Sequence, residues 1–418
     1  MRVDRVISLT LTAVLVSPLF GPAAQGAESA KAAPKANKPP TPPKEFAFVL
    51  SPGYGTIDHF SSDPKVFENL LVNMKKTGFN AIHCVYRPWR VPLCRKHGVK
   101  MMVDILAWKK DVEADIRRPK QRAKVEAMCR KLRGDDGVWG YNLWNEKLSF
   151  FGYPDGKNIE QYIAMLKKWD PTHPIWVGTY RVSYANAIKD KHGIHGYYDY
   201  HWQRGFMWHF ADLRWYMGHC RNMDGHPGRW ILGSNYNWNS YTLNTSIPFG
   251  LKVCIWFIGG PFDKQGNIDP KHRFGHLVRI GQERKALYTE IMTIGRPVGA
   301  YSTPTTRSES NKAKAKGRPW GLPPFPANHW LQVRQGEAVL GFFKYPGGDD
   351  AVYVANHNAF APQEMVLVLS PKAAEKTVVE LLDRKTGQWR RLERKGAAIS
   401  FPLPAAGGEL LRVKGRTK

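Results

Sequence analysis

From Phe46 onward, short apolar runs of strand length alternate with segments of helical period, eight times over about 255 residues. The expected strands are Phe46–Ser51, Ala81–Tyr86, Lys100–Leu106, Val138–Trp144, Ile175–Gly178, Gly196–His201, Trp230–Ser234 and Lys252–Phe257. Helices are expected between them, among others at Pro64–Lys76, Arg90–Lys96, Ala114–Leu132, Ile159–Trp169, Tyr241–Phe249 and His276–Ile294. Two folds alternate in this way. A doubly wound sheet usually carries a Gly-rich phosphate turn after its first strand, and Ser51-Pro52-Gly53-Tyr54-Gly55 lacks the third glycine before a helix. The reading is therefore α/β, a (β/α)8 TIM barrel over residues 45–302.

A Pro-, Ser- and Lys-rich stretch follows, and residues 303–328 read as a linker. From 329 to 418, short alternating runs separated by Gly, Pro and Asp turns predict a small antiparallel β-sandwich. At the other end, basic residues near Met1, the apolar run Val6–Phe20 and small residues to Gly26 form the pattern of a signal peptide over 1–26. Export to the periplasm or medium is expected. Residues 27–44, rich in Ala, Lys and Pro, read as a disordered spacer.

The net charge of +27 is large and spread along the chain. For an exported protein it favours anionic glycans over nucleic acid, for which no binding module is visible. The five cysteines have no C-x-x-C spacing, so neither a disulfide framework nor a zinc site is indicated. His192, His195, His201, His209 and His219 do not combine with carboxylates at ligand spacing, and no metal or cofactor is expected.

Barrel enzymes act at the carboxyl ends of their strands, and here those ends are polar and aromatic. Strand four closes on Trp144-Asn145-Glu146, strand six on Tyr200-His201-Trp202, and strand eight on Trp256 followed by Gly259, Gly260 and Asp263. An Asn-Glu pair alone more often caps a helix; the eight-fold alternation is what gives this one another meaning. Together with Gly78-Phe79-Asn80-Ala81-Ile82 before strand two and Asp170-Pro171-Thr172-His173-Pro174 before strand five, the chain resembles the clan of retaining glycoside hydrolases built on (β/α)8 barrels. The resemblance implies that Glu146 is the general acid/base, Asn145 holds the sugar 2-hydroxyl and Trp256 floors a sugar subsite. A small C-terminal β-sandwich is common in that clan. A carbohydrate substrate, poly- or oligosaccharide, is the implied partner.

The chain departs from the clan at two places. Retaining chemistry needs a second carboxylate about 5 Å from the first, a Glu closing strand seven. Here that phrase is Trp230-Ile231-Leu232-Gly233-Ser234-Asn235, which puts Ser234 in the nucleophile's place. His83 stands where the clan has an arginine on strand two. Three explanations remain open: another carboxylate (Asp199, Asp263 or Asp104), with inversion through water at a separation of roughly 6.5–9.5 Å; cleavage assisted by a group on the substrate; or loss of cleavage, leaving a sugar-binding protein. Pyranose C–H faces lie flat on aromatic rings. Of 15 tryptophans, Trp89, Trp202, Trp238 and Trp256 are the candidate platforms, with Tyr54, His83, Asp104, His201, Ser234 and Asn235 as polar contacts.

Overall fold

The computed structural model describes residues 45–51, 63–105, 118–144, 156–179, 194–200, 228–231, 235–257, 261–283, 285–303, 323 and 325–416; at 144, 156–159, 177–179, 194–200, 228–231 and 257 it describes the backbone alone. The expected signal peptide, the spacer and most of the 303–328 linker lie outside this set. Eight parallel strands close a barrel: β1 (Ala47–Ser51), β2 (Ala81–Val85), β3 (Lys100–Asp104), β4 (Val138–Trp144), β5 (Ile175–Thr179), β6 (Ile194–Tyr200), β7 (Gly228–Ile231) and β8 (Val253–Phe257). Closure comes from β8 pairing with β1 along its whole length, Ala47 opposite Val253 to Ser51 opposite Phe257.

Alternation along each strand divides its side chains into two layers. Ala47, Val49, Ala81, Met102, Trp139, Trp176, Val253 and Ile255 fill the interior as one packed cluster. Its centre is the stacked pair Trp139 and Trp176, ring centroids 4.9 Å apart; the small Ala47 and Ala81 on the facing strands leave room for these indoles. Phe48, Leu50, Ile82, Tyr141, Cys254 and Trp256 belong to the outer layer, beneath the helices.

The outer helices include α1 (Pro64–Lys76), α2 (Arg90–His97), α3 (Pro119–Leu132), α4 (Gly156–Trp169), α5 (Tyr236–Ser246), α6 (His276–Glu283) and α7 (Lys285–Ile291). The single expected helix His276–Ile294 is thus two. Helix α5 starts five residues before the expected Tyr241, because Asn235 Oδ1 accepts from Trp238 N at 3.0 Å and caps it. Gly281 allows α6 to meet the end of α1, since a Cβ there would lie 2.1 Å from Thr77 O.

Two phrases that carried the resemblance hold the barrel's amino-terminal face together. Asn80 Oδ1 accepts from Phe48 N at 2.8 Å and its Nδ2 donates to Phe46 O at 2.7 Å, tying β1 to the start of β2. Asp170, 1 % exposed, accepts from Tyr141 Oη at 2.7 Å, His173 Nδ1 at 2.6 Å, and Thr172 N and Oγ1 at 2.9 and 2.5 Å. Conservation of structure, not chemistry, is what such residues serve at this face of a barrel.

The sandwich consists of a four-stranded sheet in the order Leu331–Gln335 (β10), Gln363–Leu369 (β13), Ala398–Leu403 (β17) and Arg394–Lys395 (β16), and a six-stranded sheet in the order Trp389–Arg391 (β15), Val378–Leu382 (β14), Gly408–Lys414 (β18), Asp350–Asn356 (β12), Ala338–Lys344 (β11) and Gly299–Ser302 (β9). Its limits differ from expectation at the start. Gly299–Ser302, read from sequence as barrel, is β9 and pairs antiparallel with β11 (Ala338–Lys344). The six-stranded sheet turns its outer face to the barrel, so Val339, Phe343, Ala351, Tyr353 and Leu410 join the barrel's outer core. Tyr353 Oη donates to Asn244 Oδ1 at 2.7 Å and Tyr241 Oη lies 2.9 Å from His357 Nδ1 across this contact. Cys84, Cys94, Cys129 and Cys254 are buried; burial pushes the Cys129 thiol up to about 12.

Lys252, just before β8, is 3 % exposed and its Nζ donates to Ile291 O and, at 3.5 Å, to Ile294 O. Desolvation lowers its pKa to about 7. The unfolded chain holds this proton up to about pH 10 while the folded chain releases it near 7, so this site makes stability rise with pH between those values. Lys252→Met is expected to abolish that rise, worth on the order of 4 kcal/mol across the window. Urea unfolding of both proteins at pH 7 and pH 9 checks it: the parent should gain stability relative to Lys252→Met as the pH rises.

Candidate active site at the barrel mouth

Four polar side chains from four consecutive strands meet inside the barrel near its carboxyl end. Ser51 ends β1, Asp104 ends β3, His83 lies mid-way along β2 and Asn142 stands two residues before the end of β4. Asp104 pairs in register with Val85 and Asn142, which sets the ends of β2 and β3 level with Asn142 of β4. Ser51 Oγ lies 3.0 Å from His83 Nδ1, and Asn142 Nδ2 lies 2.7 Å from His83 Nε2. Asp104 Oδ2 is 3.9 Å from the same Nε2. Both ring nitrogens of His83 are thus engaged by neighbouring side chains, in donor and acceptor roles set by its tautomer.

Ser51, His83 and Asn142 are all buried, so hydrogen bonding offsets the cost of burying them. Beneath them lies the apolar interior with its two stacked indoles. The arrangement provides a polar floor with one carboxylate, Asp104, and one imidazole, His83. His83→Ala strips Ser51 and Asn142 of this partner and leaves a void; the expected cost is about 2–4 kcal/mol, read as a lower urea midpoint at unchanged slope.

His83 and Asp104 were expected here; Ser51 and Asn142 were not. The available signal was period two: Asn142 interrupts an apolar strand in phase with Trp144 and Glu146. Of the other expected residues, Tyr54, Asn145, Glu146, His201, Trp202 and Ser234 lie outside the described residues. Asp199 pairs in register with Thr179 of β5 and Arg229 of β7.

Three expected residues have other surroundings. Trp256 is a correction: it is 1 % exposed, in the outer layer, edge-on to Phe48 at 5.3 Å. With Val253 and Ile255 facing inward, residue 256 faces the helices and cannot floor a sugar subsite. Asp263 is a second correction. Its Oδ1 accepts from Gln265 N at 2.9 Å and Asn267 N at 2.8 Å, and its Oδ2 from Asn267 Nδ2 at 3.1 Å. It folds a turn that packs on α1, where Asn69 Nδ2 donates to Gln265 O and Asn73 Nδ2 to Gly266 O. Burial raises its pKa and these hydrogen bonds outweigh that, holding the carboxyl below its ordinary value; both its oxygens are spent in this turn and not on a second carboxylate's work. Asn235, expected as a sugar contact, spends its Oδ1 on the cap of α5.

Trp89 and Trp238 are partly exposed rings. Trp89 precedes α2, edge-on to Phe67 at 5.3 Å, with the Arg90 guanidinium 5.2 Å from its centroid. Arg90, fully buried, donates from Nη1 to Val85 O at 2.7 Å and holds the end of β2. Trp238 lies in the first turn of α5, on the mouth side of the barrel, edge-on at 5.6 Å to Phe360 of the sandwich, which is 59 % exposed. Among the described residues, no group of three or more His, Cys, Asp or Glu is placed to hold a metal ion. No described helix is long and apolar enough to cross a membrane.

No protein-family model and no curated protein matches the sequence. Solved structures do match. An α-amylase from Geobacillus thermoleovorans, complexed with acarbose, aligns over 90 % of this chain and 100 % of its own at 11 % identity and a TM-score of 0.50. A putative α-galactosidase from Bacteroides fragilis aligns over 90 % of this chain and 80 % of its own at 8 % identity, again with a TM-score of 0.50. At such identities the likeness is one of fold: the chain has the barrel-and-β-domain architecture of glycoside hydrolases.

Proposed function

We propose that this chain is an exported glycoside hydrolase that cleaves O-glycosidic bonds of a poly- or oligosaccharide at the mouth of its barrel. Glu146 is the proton donor, and Asp104 is the second carboxylate. The observation that carries the reading is the polar floor of Ser51, His83, Asp104 and Asn142 set above the apolar cluster of the described interior residues. What distinguishes this cluster from the buried network of Asp170 is its place at the carboxyl ends of the strands, where barrel enzymes act. Asn142, Trp144 and Glu146 share one period-two phase in the sequence, which favours Glu146 over the same floor.

In this mechanism Glu146 protonates the leaving oxygen. Asp104, kept beside His83, takes the proton of the attacking water, and Trp89 and Trp238 are sugar platforms with Tyr54, Asn145, His201 and Trp202 as further contacts. Such a pair of carboxylates separated by roughly 6.5–9.5 Å would invert the anomeric centre. The test is incubation of the mature protein with a panel of soluble polysaccharides, read by new reducing ends and by mass spectrometry of the products. Oligosaccharide ladders from one polymer are the expected result.

The second reading is a carbohydrate-binding protein that has lost cleavage. What favours it is Ser234 in place of the strand-seven glutamate, since a serine with no base beside it does not attack an anomeric carbon. It predicts retention on one of those polymers with no new reducing ends.

A further inference from the structure

One edge of the sandwich gathers basic side chains from separate stretches of chain. β15 (Trp389–Arg391) is the outermost strand of the six-stranded sheet and β16 (Arg394–Lys395) that of the four-stranded sheet. Between them Leu392 is buried and donates its N–H to Val379 O at 2.9 Å, so the chain passes from one sheet to the other along a single edge. The short helix α8 (Pro371–Ala374) joins that edge, where Arg394 Nη1 donates to Ala374 O at 2.5 Å.

Lys385, Arg390, Arg391 and Lys395 are exposed there. Glu380 of β14 (Val378–Leu382) stands in register between Arg391 and Arg412. It is bridged to Arg412 at 2.7 Å and to Lys414 at 2.9 Å, so its charge is already outnumbered. Glu375, Asp383 and Glu393 are the exposed acids of this stretch, and Asp383 accepts from Lys385 N and Thr386 N in the hairpin turn. An edge strand with outward cations and no pairing partner is a surface open to a polymer of opposite sign.

We propose that this edge is a docking surface for an acidic polysaccharide, carboxylated or sulfated, distinct from the barrel mouth. Charge complementarity names an anion; the aromatic groups decide which kind. Trp389, the ring of this edge, carries the Arg412 guanidinium 4.4 Å from its centroid and meets Tyr345 edge-on at 6.5 Å. Binding of single-stranded nucleic acid relies on open rings for bases to stack upon, and this ring is covered. Point cations on an exposed strand suffice for uronate or sulfate groups, which are reached through water and at the end of long side chains.

The test uses the mature full-length protein and immobilised polygalacturonate, with neutral dextran as the blank, at low ionic strength. K385E/R390E/R391E/K395E reverses the four exposed cations of the edge. K120E/R122E/K124E/K131E makes the same change of charge on exposed positions of α3. The edge variant is expected to bind roughly tenfold more weakly or worse, and the α3 variant within about twofold of the parent. The neutral set K385Q/R390Q/R391Q/K395Q, gentler on folding, should weaken binding in the same direction.

Equal weakening by the edge and α3 variants would assign the effect to net charge and overturn the proposal, as would unaltered binding. Tighter binding of a single-stranded oligonucleotide, lost in the edge variant, would overturn the choice of partner. Because the readout is retention and not turnover, a barrel that cleaves nothing leaves this test intact.

Discussion

Glu146→Gln is expected to lower kcat on a polysaccharide by about 10³-fold while leaving binding nearly unchanged. General acid catalysis contributes 10²–10⁴-fold in such reactions, and a glutamine keeps the shape and one hydrogen-bond donor while removing the transferable proton. The loss should fall on kcat and on kcat/KM together, the signature of an interaction made only in the transition state. It should also shrink on substrates whose leaving group needs little protonation, such as aryl glycosides. A variant that keeps more than about a tenth of wild-type turnover on both substrate types would remove Glu146 from the chemistry.

Asp170→Ala is expected to destabilise the fold by about 3–5 kcal/mol, the largest effect on stability among the residues described. The Asp170 carboxylate serves Tyr141, Thr172 and His173 at once, and His173 continues from Nε2 to Asp135 O at 2.9 Å. Removing it strands several buried donors between α4, β4 and β5. Burial raises the Asp170 pKa, but the hydrogen bonds from His173, Thr172 and Tyr141 outweigh it and hold the carboxyl far below its usual range. Its contribution is therefore present above the unfolded value near pH 4 and lost as pH falls. Urea unfolding at pH 7 should show the full deficit, and the gap between the two proteins should narrow on acidification. Turnover per folded molecule should not change, because the network lies at the face opposite the mouth.

The barrel strands were legible because each is a short apolar run bounded by polar or glycine residues, and their positions agree with expectation to within two residues or so at most ends. Helix α5 was read five residues short because its first turn, Tyr236-Asn237-Trp238-Asn239, has low helical propensity and depends on the Asn235 cap. β9 was missed because four residues after a proline carry no period and acquire strand structure only by pairing with β11.

The site was legible in half. A histidine and an aspartate at strand ends stood out, whereas Ser51 and Asn142 gain meaning only from the register that brings them to His83. Trp256 shows the opposite failure. An aromatic near the end of strand eight fits a sugar platform by composition, yet the pairing of Ala47 with Val253 fixes the strand's phase and sends that ring under the helices. Aspartate 263 misled in the same way, since turn-forming and catalytic aspartates look identical until their hydrogen-bond donors are seen.

The most direct test of the account is a crystal structure of the Glu146→Gln protein soaked with an oligosaccharide from whichever polymer it retains. The account predicts sugar rings across the barrel mouth, with a glycosidic oxygen within hydrogen-bond distance of the residue 146 amide and a water or anomeric carbon facing Asp104. Sugar bound only at the sandwich edge, with the mouth empty, would contradict it.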